Sequence, residues 1–112
     1  MDCLFCKIAD RKIPADLIYE DEHIVAFKDI NPQAPVHFLV VPRLHIDSLD
    51  KISKENDSLM AHILRTIPAL AKEQGIENGY RVVNNCGEDG GQTVDHIHFH
   101  VLGQREMLWP PG

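Results

Sequence analysis

The sequence predicts an α+β domain: a five-stranded antiparallel sheet with one long helix and a short N-terminal helix. Three observations point there. Residues 96–101 alternate strictly between imidazole and apolar side chains, the period of a strand with one face in a core. One stretch, from about Ser53 to Gln74, carries apolar residues at helical spacing. Four further short apolar segments, with adjacent strands joined by short turns, favour an antiparallel sheet.

The elements follow in order. Leu4, Phe5 and Ile8 recur at helical spacing, so a short amphipathic helix should open the chain and end before Pro14. Leu17 to Glu20 and Ile24 to Lys28 read as a hairpin around Asp21-Glu22. Asn31-Pro32-Gln33-Ala34-Pro35 is a loop, because each proline disfavours helix in the residue before it. Phe38 to Val41 is a strand closed by Pro42. In the long helix Leu59, Ile63, Ile67, Leu70 and Ala71 form the apolar stripe. Pro68 should kink it, since proline lacks an N–H and clashes with the carbonyl of Leu64, and Gly75 is the expected C-terminal cap. Tyr80 to Val83 is the fourth strand, and the histidine segment is the fifth.

At 112 residues the chain can bury one core, so a single domain is expected. Its 44% apolar and 25% charged residues are those of a soluble globular protein. A net charge of −6 argues against an extended nucleic-acid surface, though not against a small phosphorylated ligand held by backbone N–H groups. No apolar run reaches membrane-spanning length and no basic-then-apolar leader is visible, so no membrane association and a cytoplasmic location are expected. Three cysteines, two as Cys3-Leu-Phe-Cys6, are too few for a disulfide scaffold.

The chemistry gathers at His96-Ile97-His98-Phe99-His100-Val101. Ile97, Phe99 and Val101 would enter the core, leaving His96, His98 and His100 on the other face at intervals of roughly 6.5–7 Å. Histidine titrates near neutrality, so three in a row point to proton transfer, nucleophilic attack or metal binding. The preceding loop, Asn84 to Thr93, carries Gly90-Gly91, which can bring backbone N–H donors close to an oxyanion; Asn85 and Thr93 add side-chain donors.

His96 to Leu102 has the pattern His-φ-His-φ-His-φ-φ, where φ is an apolar residue, and it resembles the histidine triad superfamily of nucleotide hydrolases and transferases. Phe27 to Pro42, Gly90-Gly91-Gln92-Thr93-Val94 and Trp109-Pro110-Pro111-Gly112 look like its nucleotide-binding branch, so the resemblance covers the whole chain. It implies a purine nucleoside phosphoramidase. His98 would attack the α-phosphate to give a nucleotidyl-histidine that water hydrolyses. His100 would bind phosphoryl oxygens, and His37 and His96 would complete the histidine cluster. Asn85, Gly91 and Thr93 would serve the phosphate and leaving group. Asp29 would accept from the ribose hydroxyls, although it also suits a turn beside Asn31-Pro32. Phe5, Phe27 and Ile30 would flank an AMP-type purine. The resemblance further implies a homodimer with one continuous sheet, placing Trp109 and the 109–112 tail near the partner's site. No organic cofactor is implied.

The cysteine pair departs from that branch and looks like zinc-bearing bacterial and archaeal members of the superfamily. There Cys3 and Cys6 would join His45, in Pro42-Arg43-Leu44-His45, and His96 around a structural Zn²⁺. A pair that merely packs, or a redox pair, are the other readings. Cys86 looks incidental, and His23 and His62 look like surface residues. Other readings of the chain are dinucleoside polyphosphate hydrolysis, a metalloenzyme binding its metal through all three triad histidines, and a non-catalytic nucleotide-binding scaffold.

Overall fold

The computed structural model describes residues 2–112. The chain runs α1 (Leu4–Ala9), β1 (Leu17–Glu20), β2 (Ile24–Lys28), β3 (Val36–Pro42), α2 (Asp57–Glu73), β4 (Tyr80–Val83) and β5 (Phe99–Gly103), with 3-10 turns at Leu49–Lys51 and Lys54–Asn56. The strands form one five-stranded sheet in the order β1-β2-β3-β5-β4, every neighbouring pair antiparallel. The predicted α+β class, its five strands and its two helices are therefore present.

Both helices close in the same way. At the end of α1 the N–H groups of Arg11 and Lys12 bond to the carbonyls of Ile8 and Lys7, with Arg11 left-handed at φ 60°. At the end of α2 Gly75 (φ 82°) and Ile76 donate to Lys72 and Ala71, which bears out Gly75 as the cap. The long helix starts later than its apolar spacing implies. A capping box of Ser53 and Asn56 opens a 3-10 turn, and the α-helix begins at Asp57. It then passes unbroken through Pro68. Pro68 and Leu64 both lie on the exposed face, where water can serve the Leu64 carbonyl that loses its donor.

The sheet separates two apolar layers. On the α2 side Ile63, Ile67 and Leu70 pack against Phe38, Ile97 and Val101, all nearly inaccessible. On the α1 side Phe5 and Ile8 pack against Val25, Phe27, Leu39 and Val41. Burying each such side chain stabilises the fold by about 1.5–3 kcal/mol.

Two details correct the sequence reading. The fifth strand starts at Phe99, so His96 and His98 precede it. Pairing with β4 stops at Val83↔His100, and the His96 and Ile97 N–H groups bond instead to Val94 and Ile46. His62 is also no free surface residue. Its Nε2 lies 2.6 Å from Asp21, in the β1–β2 turn, and Asp21 accepts from Tyr19 and from the N–H groups of His23 and Ile24 as well. Although burial opposes ionisation, these donors hold the Asp21 carboxyl well below the usual carboxylate range. His23 is exposed, as expected.

Candidate active site and metal centre

The alternation of the histidine segment survives even though its first residues lie outside the strand. Ile97, Phe99 and Val101 enter the α2-side core, while His96, His98 and His100 face the α1 layer. That face is covered: His96 is fully buried and His98 is 4% exposed. The rings of His98 and His100 stand 5.1 Å apart.

Each ring is oriented by a different partner. His98 Nδ1 lies 2.7 Å from the backbone oxygen of His96. A carbonyl can only accept, so Nδ1 carries the proton and Nε2 the lone pair. For His37 the logic runs the other way. The Gln33 backbone N–H donates to His37 Nδ1 at 3.0 Å, so the His37 proton sits on Nε2 and points to His100 Nδ1, 2.9 Å away. His100 therefore carries its own proton on Nε2, as a donor. Burial lowers the pKa of His37, with Asp29 partly opposing it. Burial, then the His98 and His37 imidazoles, pushes His100 down to about 4. Both rings are neutral at pH 7, as the relay requires.

The two carboxylate oxygens of Asp29 have different partners. Its Oδ1 accepts from the Asn31 N–H at 2.8 Å, building a turn, while Oδ2 lies 3.4 Å from His37 Nε2.

A cavity of about 390 Å³ opens beside these groups. Phe5, Phe27, Asp29, Ile30, Thr93, His98 and His100 line it, as do Ile8, Ile13 and Leu39, which the sequence reading did not single out. Ile8 was legible as the next helical position after Phe5; Leu39 was legible only as core. Phe5 packs edge-on against His98 at 5.0 Å and against Phe27 at 5.5 Å. Ile30 belongs to the rim rather than the wall, being 99% exposed.

Asn85, Gly91 and Trp109 are not brought to this cavity. Asn85 Nδ2 donates to the Gly90 carbonyl and holds the loop closed. Gly91 supplies a left-handed residue (φ 79°), and a Cβ on Gly90 would stand 2.3 Å from the Cys86 carbonyl. The close approach that Gly90 permits is thus to its own loop. Trp109 is 81% exposed on the single chain.

Cys3, Cys6, His45 and His96 do converge, with one ligand atom from each lying within 4.8 Å of the others. Cys3 Sγ is 3.3 Å and Cys6 Sγ 3.5 Å from His96 Nδ1, and Cys6 Sγ is 3.4 Å from His45 Nδ1. A tetrahedral zinc with ordinary bond lengths sets S···N edges of about 3.6 Å. The remote ring nitrogens are anchored, His45 Nε2 at 2.7 Å from Asp47 and His96 Nε2 at 2.8 Å from the Pro42 carbonyl, which turns both Nδ1 lone pairs toward the thiols. Burial and neighbouring Cys3 push the Cys6 thiol up to about 11, so a Cys6 thiolate here needs a cation. The donor set fits zinc. Asp29, His37 and His100 form the second such grouping among the described residues, but there the two rings are already hydrogen-bonded to each other. Neither grouping unites the three triad histidines.

Among the described residues no helix is long and apolar enough to cross a membrane. The chain matches the family described as "Scavenger mRNA decapping enzyme C-term binding" over residues 2–109. It is 50% identical to an uncharacterized HIT-like protein of Synechococcus elongatus, covering 99% of this chain and 97% of that one. Among solved structures it is similar to a HIT family hydrolase from Legionella pneumophila, with TM-score 0.97 and 49% identity over 99% of this chain and all of that one. It is also similar to a histidine triad nucleotide-binding protein from Candida albicans, with TM-score 0.82 and 32% identity over 95% and 77% of the two chains. The spaced histidines, the sheet that carries them and these likenesses agree: the chain belongs to the histidine triad (HIT) superfamily.

Proposed function

We propose that this chain is a hydrolase of purine nucleoside 5′-phosphoramidates, acting through a nucleotidyl-histidine. The observation that carries the reading is the fixed tautomer of His98, whose unprotonated Nε2 belongs to a side chain lining an apolar cavity. In the first step His98 Nε2 bonds to the α-phosphorus, the P–N bond breaks and the departing amine takes its proton from solvent. In the second, water attacks phosphorus and releases the nucleoside monophosphate and the free imidazole. His100 Nε2–H donates to a phosphoryl oxygen, and His37 holds it in that tautomer. Asp29 Oδ2 accepts from the ribose, and Phe5 and Phe27 flank the base. Thr93, already in the cavity wall, serves the phosphate and leaving group, and Asn85 and Gly91 join it if their loop closes over bound substrate. The HIT family hydrolase from Legionella pneumophila and the nucleotide-binding protein from Candida albicans support this reading by likeness.

Zinc would be held by Cys3, Cys6, His45 and His96. With four protein ligands it would offer no open position to substrate and would pin α1 to the sheet. Residues 1–112 work as one domain, and two copies join their sheets so that each 109–112 tail reaches the other's site; the exposed Tyr80, Val82, Leu108 and Trp109 suit that arrangement. A cytoplasmic setting suits the free thiols.

The test is brief incubation with an adenosine phosphoramidate followed by intact mass analysis of the chain and of His98→Ala. A nucleotidyl adduct in the parent and none in the variant is the expected result. Unchanged hydrolysis by His98→Ala would overturn it. Faster turnover of a diadenosine polyphosphate would transfer the same site to that substrate, and absence of all turnover would favour a nucleotide-binding scaffold.

A further inference from the structure

β4 and β5 pair from Tyr80↔Gly103 to Val83↔His100, and there the ladder stops. The next residue, Asn84, turns its side chain onto the departing backbone: Nδ2 donates to the carbonyl of His98 at 2.9 Å. Because that carbonyl only accepts, the amide has one orientation, and its Oδ1 is left buried with no partner. It is the single buried side-chain polar atom in that state among the described residues. A buried unpaired acceptor is costly, and a leucine of similar size would lack it at the expense of leaving the His98 carbonyl without this donor. A polar side chain kept at such a cost, on the peptide of a candidate nucleophile, points to function before stability.

His98 is thereby held twice. Its ring is fixed through Nδ1 to the His96 carbonyl, and its own carbonyl is fixed by Asn84. Between them lies backbone that has left the β4 ladder, so the Asn84 amide stands in for a missing ladder bond. Asn85, the neighbour with the obvious sequence context, is spent on Gly90.

We infer that Asn84 is a positioning residue for His98, aiming the attacking nitrogen by holding the peptide that carries it. This rests on His98 being the nucleophile. Asn84→Leu removes the unpaired Oδ1 but leaves the His98 carbonyl without this donor, exchanging one unpaired acceptor for another, so the folded state should change little. The expected result is a kcat for adenosine phosphoramidate lower by about tenfold or more, with KM within about twofold and Tm nearly unchanged. The His98 Nδ1–H resonance should shift, which a merely structural role would not produce in a folded variant. Asn84→Ser, too short to reach, should show the same loss and serves if the leucine variant fails to fold. Parental kcat and an unshifted His98 signal in either folded variant would overturn the inference. His98→Ala, run alongside, separates the two claims: full activity there sinks the nucleophile itself, whereas an inactive His98→Ala beside fully active Asn84 variants sinks only the role of Asn84.

Discussion

The Nδ1–H of His98 donates to the backbone carbonyl of His96 at 2.7 Å, while the ring of His96 faces Cys3 and Cys6. One residue thus belongs to two sites, through its ring to a metal set and through its carbonyl to the candidate nucleophile. Phe5, between the two cysteines on α1, makes a second link by packing on both His96 and His98. Cys6→Ser should therefore lower bound zinc, read by native mass, and lower Tm by several degrees. Turnover should fall but persist, because His98 and His100 remain. A metal acting directly on substrate would instead make activity vanish in proportion to lost zinc, and that outcome would overturn the structural assignment.

Asp29→Asn separates the two oxygens of one side chain. The amide oxygen can still accept from Asn31, so the turn and the fold should hold. The charge beside His37 and toward the ribose is lost. The expected outcome is a Tm within a few degrees of the parent and a KM raised by roughly tenfold, the scale of one charge-assisted hydrogen bond. A 2′,3′-dideoxy substrate should show no such difference between parent and variant.

Sequence alone reached the local parts of this structure and missed the long-range ones. The apolar stripes of α1 and α2, the hairpin and the Gly75 cap are written in spacings of a few residues. The convergence of Cys3 and Cys6 with His45 and His96, 39 to 93 positions apart, was reached only through resemblance to other chains. The Asp21–His62 bond had no local signal, because neither residue's neighbours reveal that the β1–β2 turn meets α2. The choice between Asn84 and Asn85 depends on where the β4–β5 ladder ends, one residue of register, which the apolar pattern does not specify.

The buried histidines make stability depend on pH in a stated direction. In the folded chain His100 binds its proton only near pH 4, whereas in the unfolded chain it does so near 6.5. As pH falls between those values the unfolded state takes up a proton that the folded state refuses, so stability is lost over that window, on the order of 3 kcal/mol for the whole excursion. The lowered pKa of His37 acts in the same direction. Denaturant melts from pH 7 to 4.5 should show the decline, and His100→Gln should flatten it. A decline of equal slope in the variant would place its origin elsewhere.

The tail offers the cleanest separation of function from stability. Leu108 is 73% and Trp109 81% exposed, so residues 109–112 bury little apolar surface within their own chain. Removing them should leave Tm almost unchanged. If the tail reaches the partner's site, the truncated protein should change its preference among leaving amines, with bulky aromatic amines losing most kcat/KM because an indole no longer meets them. Native mass of the same variant reads whether the dimer persists, which distinguishes a lost contact from a lost partner. Identical kcat/KM ratios across a series of amines, in a truncated protein that is still dimeric, would remove the tail from the site.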